Sequence, residues 1–245
     1  MRVRSGRPLN KERVKNARKL YLAQVHWTDQ QFGVLLDGLK ERGLMDDALI
    51  IMTADHGEML DERHLGMVYT HGPDVDLPVI RVPMVIAGTG QFQTPTGQVV
   101  DRRVRLQDIA NTVLTAAGLP ANLGNGESLQ TVWAGKAGAP PAHFAEATRS
   151  GRAQRIGKSK ADEWPNINYE RAVIQDDRML VRIPWRKNKT RLFKVDAEQT
   201  RVAEPEKTEE LLKSLAAWDA VAPSVGAAEL DPETEEALRQ LGYLE

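Results

Sequence analysis

The chain contains 245 residues, of which 41% are hydrophobic and 27% are charged, and its formal net charge is -1. This composition is typical of a folded globular domain and excludes an intrinsically disordered chain. The balanced charge favours neither nucleic acid nor a membrane surface, so we expect neither as a partner. The absence of cysteine excludes disulfides, thiolate metal sites and a cysteine nucleophile within this sequence.

The N-terminal segment is basic, with eight lysines and arginines and one acid among the first 19 residues. We interpret it as the solvated start of a helix, because no aromatic residues alternate with the charges as they would in a nucleic-acid-binding arm. No apolar run reaches the roughly 18 residues of a membrane span. No apolar stretch follows the first basic residues, so they do not form a secretory signal. Either the protein is cytoplasmic or a signal lies outside this sequence, and the localisation stays open.

A long helical pattern opens the chain, over about residues 10–42. Four of its apolar side chains fall on one face and predict a buried stripe: Phe32, Leu35, Leu36 and Leu39. Asp29 belongs to the same helix, and we expect it to be a buried, hydrogen-bonded carboxylate. Gly43 is the glycine that commonly follows the last helical residue.

An α/β pattern follows this helix. The apolar run at 48–54 predicts a central, nearly buried strand that is covered on both faces, as in a parallel sheet. After a polar loop at about 55–77, a second strand is predicted at 83–87 and a helix at 106–117. This order is half of a layered α/β structure, so residues 1–140 are assigned to an incomplete sheet with helices.

A smaller unit is predicted for residues 141–245. The segment at 119–141 is rich in glycine and proline and is interpreted as a linker. Three strand-like runs follow it, at 170–174, 179–183 and 191–195. Asp176 and Asp177 suit a hairpin turn between the first two runs. Two helices then close the chain, at about 207–218 and from Asp231, with Pro232 as its first residue.

The candidate chemistry lies in the run Thr53-Ala54-Asp55-His56-Gly57-Glu58, directly after the predicted strand. Ligands of open α/β sheets bind at the carboxyl ends of strands, and Gly57 allows the chain to bend sharply there. Asp55 and His56 can then direct a carboxylate oxygen and an imidazole nitrogen to one divalent metal or one phosphoryl group. Taken alone, this run fits equally well a turn-capping aspartate beside a surface histidine.

Other motifs occur in a specific order along the chain. They are the helix segment Tyr21–Gly33, the strand ending in Asp55-His56-Gly57-Glu58, His64, His71-Gly72, Arg81-Val82-Pro83, Asp108-Ile109-Ala110-Asn111-Thr112, Gly126-Glu127-Ser128-Leu129, Arg191–Asp196 and Leu241–Leu244. In this order and spacing the chain resembles the C-terminal portion of the sulfatase family, within the alkaline-phosphatase superfamily. The resemblance implies an incomplete layered α/β sheet with helices and a small C-terminal antiparallel sheet with helices.

The resemblance also implies roles for four side chains. Asp55 and His56 would be ligands of the active-site metal, which in this family is most often Ca²⁺. The softer histidine nitrogen leaves Mn²⁺ and Zn²⁺ open. His64 and His71 would lie over the sulfate or phosphate, as oxygen contacts or as the acid that protonates the leaving group. A surface or structural role stays open for both histidines.

The implied function is metal-dependent hydrolysis of sulfuric esters, with a small-molecule or glycan sulfate as substrate. The family nucleophile lies in a Cys/Ser/Thr-x-Pro-x-Arg motif, preceded by two further metal-binding aspartates, and this sequence contains neither. We therefore expect an inactive fragment, with a separate N-terminal half as a candidate partner. Two alternatives remain: a phosphodiester or phosphonate hydrolase of the same superfamily, and a non-catalytic remnant.

Overall fold

The computed structural model describes residues 10–62, 68–71, 75–147, 170–183, 187–221 and 232–240. Its helices and strands follow in chain order: α1 (Lys11–Glu41), β1 (Leu49–Thr53), β2 (Met59–Leu60), β3 (Val68–Thr70), α2 (Leu77–Ile80), β4 (Met84–Gly88), α3 (Asp108–Ala116), α4 (Gln130–Trp133), β5 (His143–Ala147), β6 (Glu170–Gln175), β7 (Arg178–Ile183), β8 (Lys189–Lys194), β9 (Arg201–Val202), α5 (Pro205–Val221) and α6 (Pro232–Gln240). Within these described ranges, no helix is both long and apolar enough to cross a bilayer.

Helix α1 is one unbroken helix of 31 residues. The Asn10 side chain accepts a hydrogen bond from the Glu12 backbone N–H (2.8 Å), which caps the N-terminal end. Gly43 has a φ of 67°, the left-handed conformation that commonly follows a helix. Both predicted ends of this helix are therefore confirmed.

The predicted burial along α1 is wrong. Leu35 and Asp29 are exposed, and Phe32, Leu36 and Leu39 are only half-buried. Helix α1 meets the β2–β3 hairpin near its N-terminal half, where Tyr69 Oη donates to Ala17 O (2.7 Å). Asp29 lies in the C-terminal half of α1, beyond this contact, and its side chain is exposed.

Strands β1 and β4, which correspond to the two strands predicted at 48–54 and 83–87, pair with each other. The pairing is antiparallel, from Leu49 opposite Gly88 to Thr53 opposite Met84, so the expected parallel arrangement is wrong for this pair. All of β1 is half-buried rather than nearly buried. In the described part of the chain these strands form a two-stranded sheet, which leaves the other edge of β1 without a neighbour. The predicted central position is therefore also wrong there.

Large apolar side chains are exposed on α1. Leu20, Trp27 and Val34 recur every seven residues, and each is between 62% and 65% exposed. Seven residues are close to two helical turns, so the three side chains lie on one face of the helix. A stripe of large, exposed apolar side chains on one helix face favours association with another surface.

We predict that the chain self-associates through this stripe. The double variant Trp27→Lys and Val34→Lys should shift the protein toward monomer in size-exclusion chromatography with light scattering, because charges replace the apolar contact. Val99→Lys is the matched control, since Val99 is an exposed apolar residue outside α1. A monomeric wild-type chain at micromolar concentration would contradict the prediction.

The C-terminal sheet has five antiparallel strands in the order β5-β6-β7-β8-β9. The predicted hairpin is confirmed: Gln175 pairs with Arg178, and Asp176 in the turn has a φ of 53°. Strands β5 and β9 were not predicted, and Asp231 lies outside the described residues. One face of the sheet packs against α5 through Leu211 and Leu215. The predicted small antiparallel sheet with a helix is therefore confirmed, whereas the division at residue 140 stays a prediction.

The other face of the C-terminal sheet receives α2. Val75 and Leu77 are buried in one cluster with side chains of the sheet: Ala147, Ala172, Ile174, Met179, Val181, Ile183 and Phe193. A segment from the first half of the chain thus completes the apolar core of the sheet.

Helix α3 is tied to the loop that precedes α4. Asp108 is fully buried and accepts hydrogen bonds from the backbone N–H groups of Arg105 (2.8 Å) and Glu127 (3.0 Å). Asn111 Nδ2 donates to Gly126 O (2.6 Å), and Thr112 Oγ1 accepts from the N–H of Leu129 (2.9 Å). Asp108 is thus a loop anchor. The motif at 108–112 and the motif at 126–129 therefore form one hydrogen-bonded unit, although they are separated in sequence.

His143 opens β5 beside three arginines of the segment that precedes α3. Burial, followed by the charges of Arg103 and Arg105, lowers the pKa of His143 from 6.5 to about 4. The unfolded chain therefore takes up a proton at this residue at a higher pH than the folded chain does. The difference destabilises the folded state progressively as the pH falls from 6.5 toward 4.

We expect the thermal midpoint to fall over that pH interval, and His143→Gln should flatten the decline because the substituted side chain does not titrate. His26→Gln is the control, since His26 is exposed on α1. Calorimetry at several pH values between 4 and 7 measures the effect. Equal slopes for His143→Gln and the wild type would show that His143 does not contribute.

Candidate functional site

Asp55 and His56 directly follow β1, at its carboxyl end. Both are accessible, with 76% of the Asp55 side chain and 43% of the His56 side chain exposed. The His56 backbone N–H donates to Asp55 Oδ1 (2.9 Å), which folds the carboxylate back over its own loop. The other carboxylate oxygen, Oδ2, then lies 3.7 Å from His56 Nε2.

The protonation pattern of His56 follows from its neighbour. His56 Nδ1 lies 2.8 Å from Gly57 O. A carbonyl oxygen can only accept a hydrogen bond, so Nδ1 carries the proton and Nε2 of the neutral ring presents a lone pair. The free nitrogen is therefore the one beside Asp55.

Gly57 fixes this loop against α2. Its N–H donates to Val79 O (2.6 Å), and a Cβ at this position would lie 2.1 Å from Pro78 O. Gly57 is not among the described residues with positive φ. The sequence predicted a glycine for a sharp bend, whereas the structure requires one for close backbone approach.

His71 lies against this pair. Its ring stacks on that of His56, with the centroids 4.2 Å apart and the planes inclined by 24°. His71 Nδ1 is 3.1 Å from Glu58 Oε2, and the Glu58 side chain is largely buried. The carboxylate accepts from Nδ1–H, which orients the ring and leaves Nε2 available.

Glu58 is the site residue that sequence reasoning missed. It is the last residue of the motif Asp55-His56-Gly57-Glu58, and its position three residues after Asp55 was the available signal. The structure thus brings together Asp55, His56, Glu58 and His71. His64 lies outside the described residues, so its predicted role stays a prediction.

The site can supply part of a metal shell. Within the described ranges, no group of three or more histidine, aspartate or glutamate side chains is arranged to hold a metal ion. The separation of 3.7 Å between Asp55 Oδ2 and His56 Nε2 suits two ligands that are each about 2.0–2.2 Å from one ion. A stable site needs further ligands, and the metal assignment stays a prediction.

Comparison with known proteins supports the resemblance to the sulfatase family and its fold. Residues 3–119 match the family model for sulfatases. The choline-sulfatase of Rhizobium meliloti is 35% identical over 112 residues, which are 43% of this chain and 20% of that relative. The phosphonate monoester hydrolase of Agrobacterium radiobacter superposes with a TM-score of 0.62 and 25% identity, over 83% of this chain and 40% of that structure.

A second solved structure, in complex with its substrate D-glucosamine-2-N,6-O-disulfate, gives a TM-score of 0.57 at 19% identity, over 82% of this chain and 40% of that one. This chain therefore spans only part of the proteins it matches. The superpositions confirm the predicted fold class, that of the alkaline-phosphatase-like proteins.

Proposed function

We propose that this chain, whose residues 3–119 match the family model for sulfatases, is part of a metal-dependent hydrolase of sulfuric esters. The observation that carries the proposal is the close grouping of Asp55, His56 and His71 at the carboxyl end of β1, within the matched residues. The proposed substrate is a small-molecule or glycan sulfate, as in the complex with a disulfated glucosamine.

The metal proposal rests on the chemistry of two donors. Asp55 would give a carboxylate oxygen, and His56 would give Nε2, whose lone pair is kept free by the Nδ1 contact with Gly57 O. Bound there, a divalent cation would neutralise charge on the ester oxygens. Ca²⁺ is the ion expected from the family, whereas an imidazole ligand favours Mn²⁺ or Zn²⁺, so the choice is left to experiment.

His71 is proposed as the residue that contacts the ester or protonates its leaving group. Glu58 accepts the Nδ1 hydrogen, so the only ring nitrogen left for a substrate oxygen is Nε2. A proton held at Nε2 would pass to the departing oxygen, and Glu58 would balance the charge of the doubly protonated ring. Stacking on His56 holds the two rings at a fixed separation.

The nucleophile is proposed to come from residues outside this sequence. Ester cleavage in the family requires attack by an enzyme side chain, and no Cys/Ser/Thr-x-Pro-x-Arg motif occurs here. The chain would then contribute two metal ligands and an acid to a site completed by a separate N-terminal half.

We predict that Mn²⁺ binds this chain weakly and at Asp55 and His56. Asp55→Asn and His56→Gln should each weaken binding about tenfold or more, because each removes one of the two proposed ligands. Electron paramagnetic resonance of free Mn²⁺ measures the effect. Asp29→Asn and His26→Gln are matched controls, since both residues are exposed on α1. If all four variants bound Mn²⁺ as tightly as the wild type, the proposed site would be refuted.

We also predict that the chain alone does not turn over aryl sulfates in the presence of Ca²⁺, Mn²⁺ or Zn²⁺. Activity should appear on co-expression with an N-terminal sulfatase segment that carries the nucleophile motif, and His71→Ala should then reduce it. Turnover by the isolated chain that is lost in Asp55→Asn would contradict the proposed division of the site.

A phosphonate hydrolase is the second candidate, since the structure at 25% identity is a phosphonate monoester hydrolase. The reconstituted enzyme should be assayed with aryl sulfate, aryl phosphonate and phosphodiester at equal concentration. A higher kcat/KM for the sulfate supports the first proposal, and a higher value for the phosphonate or phosphodiester supports the second. No activity toward any of them would favour a non-catalytic remnant.

A further inference from the structure

Gln199 lies in the turn between β8 and β9 and is buried, although it is a polar side chain. Its side-chain amide forms hydrogen bonds through both the oxygen and the nitrogen to one distant segment. Oε1 accepts from the Leu77 N–H (2.9 Å), and Nε2 donates to Asp76 Oδ1 (3.1 Å). The two contacts span 122 and 123 residues. A buried amide held at both ends fixes the position and rotation of the group that it binds.

The segment that Gln199 binds is the start of α2. The first N–H groups of a helix have no acceptor within the helix. Asp76 occupies the N-cap position of α2, but its side chain makes no cap hydrogen bond. Gln199 Oε1 supplies that acceptor for Leu77, the first residue of α2. A single helical turn is therefore capped from the C-terminal sheet.

Helix α2 also holds the loop that carries Asp55 and His56. Val79 O accepts the Gly57 N–H at 2.6 Å, and Gly57 directly follows His56. Pro78 O approaches Gly57 so closely that only a hydrogen fits between them. A displacement of α2 would therefore move the backbone that carries Asp55 and His56.

His71 directly follows β3, and its Nδ1 lies 3.1 Å from Glu58 Oε2. Its ring stacks on that of His56, whose loop is bonded to α2 through Gly57. The stacking of the two rings therefore depends on where α2 holds the loop of Asp55 and His56.

We propose that Gln199 is a positioning residue for this site: it holds α2 in place, and α2 holds the Asp55–His56 loop against His71. The inference rests on the proposed function, since it concerns the same two proposed metal ligands, Asp55 and His56. The C-terminal sheet, which carries none of the proposed ligands, would then determine their geometry. Apolar packing of Val75 and Leu77 alone would allow α2 to rotate or slide, because such contacts have little directionality.

The test compares Gln199→Leu with a variant that weakens the same sheet elsewhere. Gln199→Leu removes both hydrogen bonds while keeping a similar volume. Leu215→Ala is the control, because Leu215 is buried between α5 and the opposite face of the sheet. Each full-length variant is examined by Mn²⁺ titration, by hydrogen exchange of peptides covering residues 54–60, and by thermal melting.

Gln199→Leu should weaken Mn²⁺ binding about tenfold and accelerate exchange at residues 54–60. Leu215→Ala should lower the melting temperature with neither effect. Gln199→Met also removes both hydrogen bonds and keeps an unbranched side chain of similar length, so it should have the same two effects. This second variant decides the question if Gln199→Leu does not fold.

Unchanged exchange at residues 54–60 in both Gln199 variants would overturn the inference. The same would follow if Leu215→Ala reproduced their effects, since Gln199 would then act only through general stability. Failure of the proposed function has a separate signature, which is Mn²⁺ binding that Asp55→Asn does not change. In that case the exchange rates at residues 54–60 still decide whether Gln199 positions the loop.

Discussion

The candidate site depends on the contact between the Gly57 N–H and Val79 O, which is 2.6 Å long. It joins the loop after β1 to α2, and through α2 to the C-terminal sheet. The contact is between backbone atoms, so it is specified by the absence of a side chain at position 57 rather than by a particular partner. Asp55 and His56 are exposed, yet the backbone that carries them is held on one side by β1 and on the other by α2.

The β1–β4 sheet and the C-terminal sheet therefore have unequal roles. The β1–β4 pair presents the proposed ligands at the end of a strand, as α/β architecture generally does. The C-terminal sheet carries none of the proposed ligands but buries Val75 and Leu77 in its own core. Because α2 is a single turn and cannot hold itself in place, the sheet acts as its support. The site and the sheet that supports it are thus adjacent in space and far apart in sequence.

Sequence patterns were informative where structure is local. The ends of α1, the strands β1 and β4, and the β6–β7 hairpin follow from apolar periodicity and from turn or cap residues within a few positions. The pair Asp55 and His56 was predicted because the two residues are consecutive and follow a strand. Each of these features is specified by neighbouring residues.

Burial and tertiary contacts could not be predicted in the same way. Whether Asp29 or Leu35 is buried depends on which element covers α1, and periodicity states only that a face is apolar. The stacking of His71 on His56 and its contact with Glu58 need the hairpin geometry that brings them together. Nothing in the local sequence around Gln199 distinguishes it from an ordinary turn glutamine.

The sequence separation of the contacting residues also affects the order in which the parts of the chain fold. Strands β6, β7 and β8 are joined by short connections and pair with their neighbours in sequence, so little chain entropy is lost when they associate. The bond between Gln199 and Leu77 closes a loop of more than a hundred residues, and such closure is slow and entropically costly. We therefore expect the meander to fold early and to serve as the template on which α2, and with it the loop of Asp55 and His56, is ordered last.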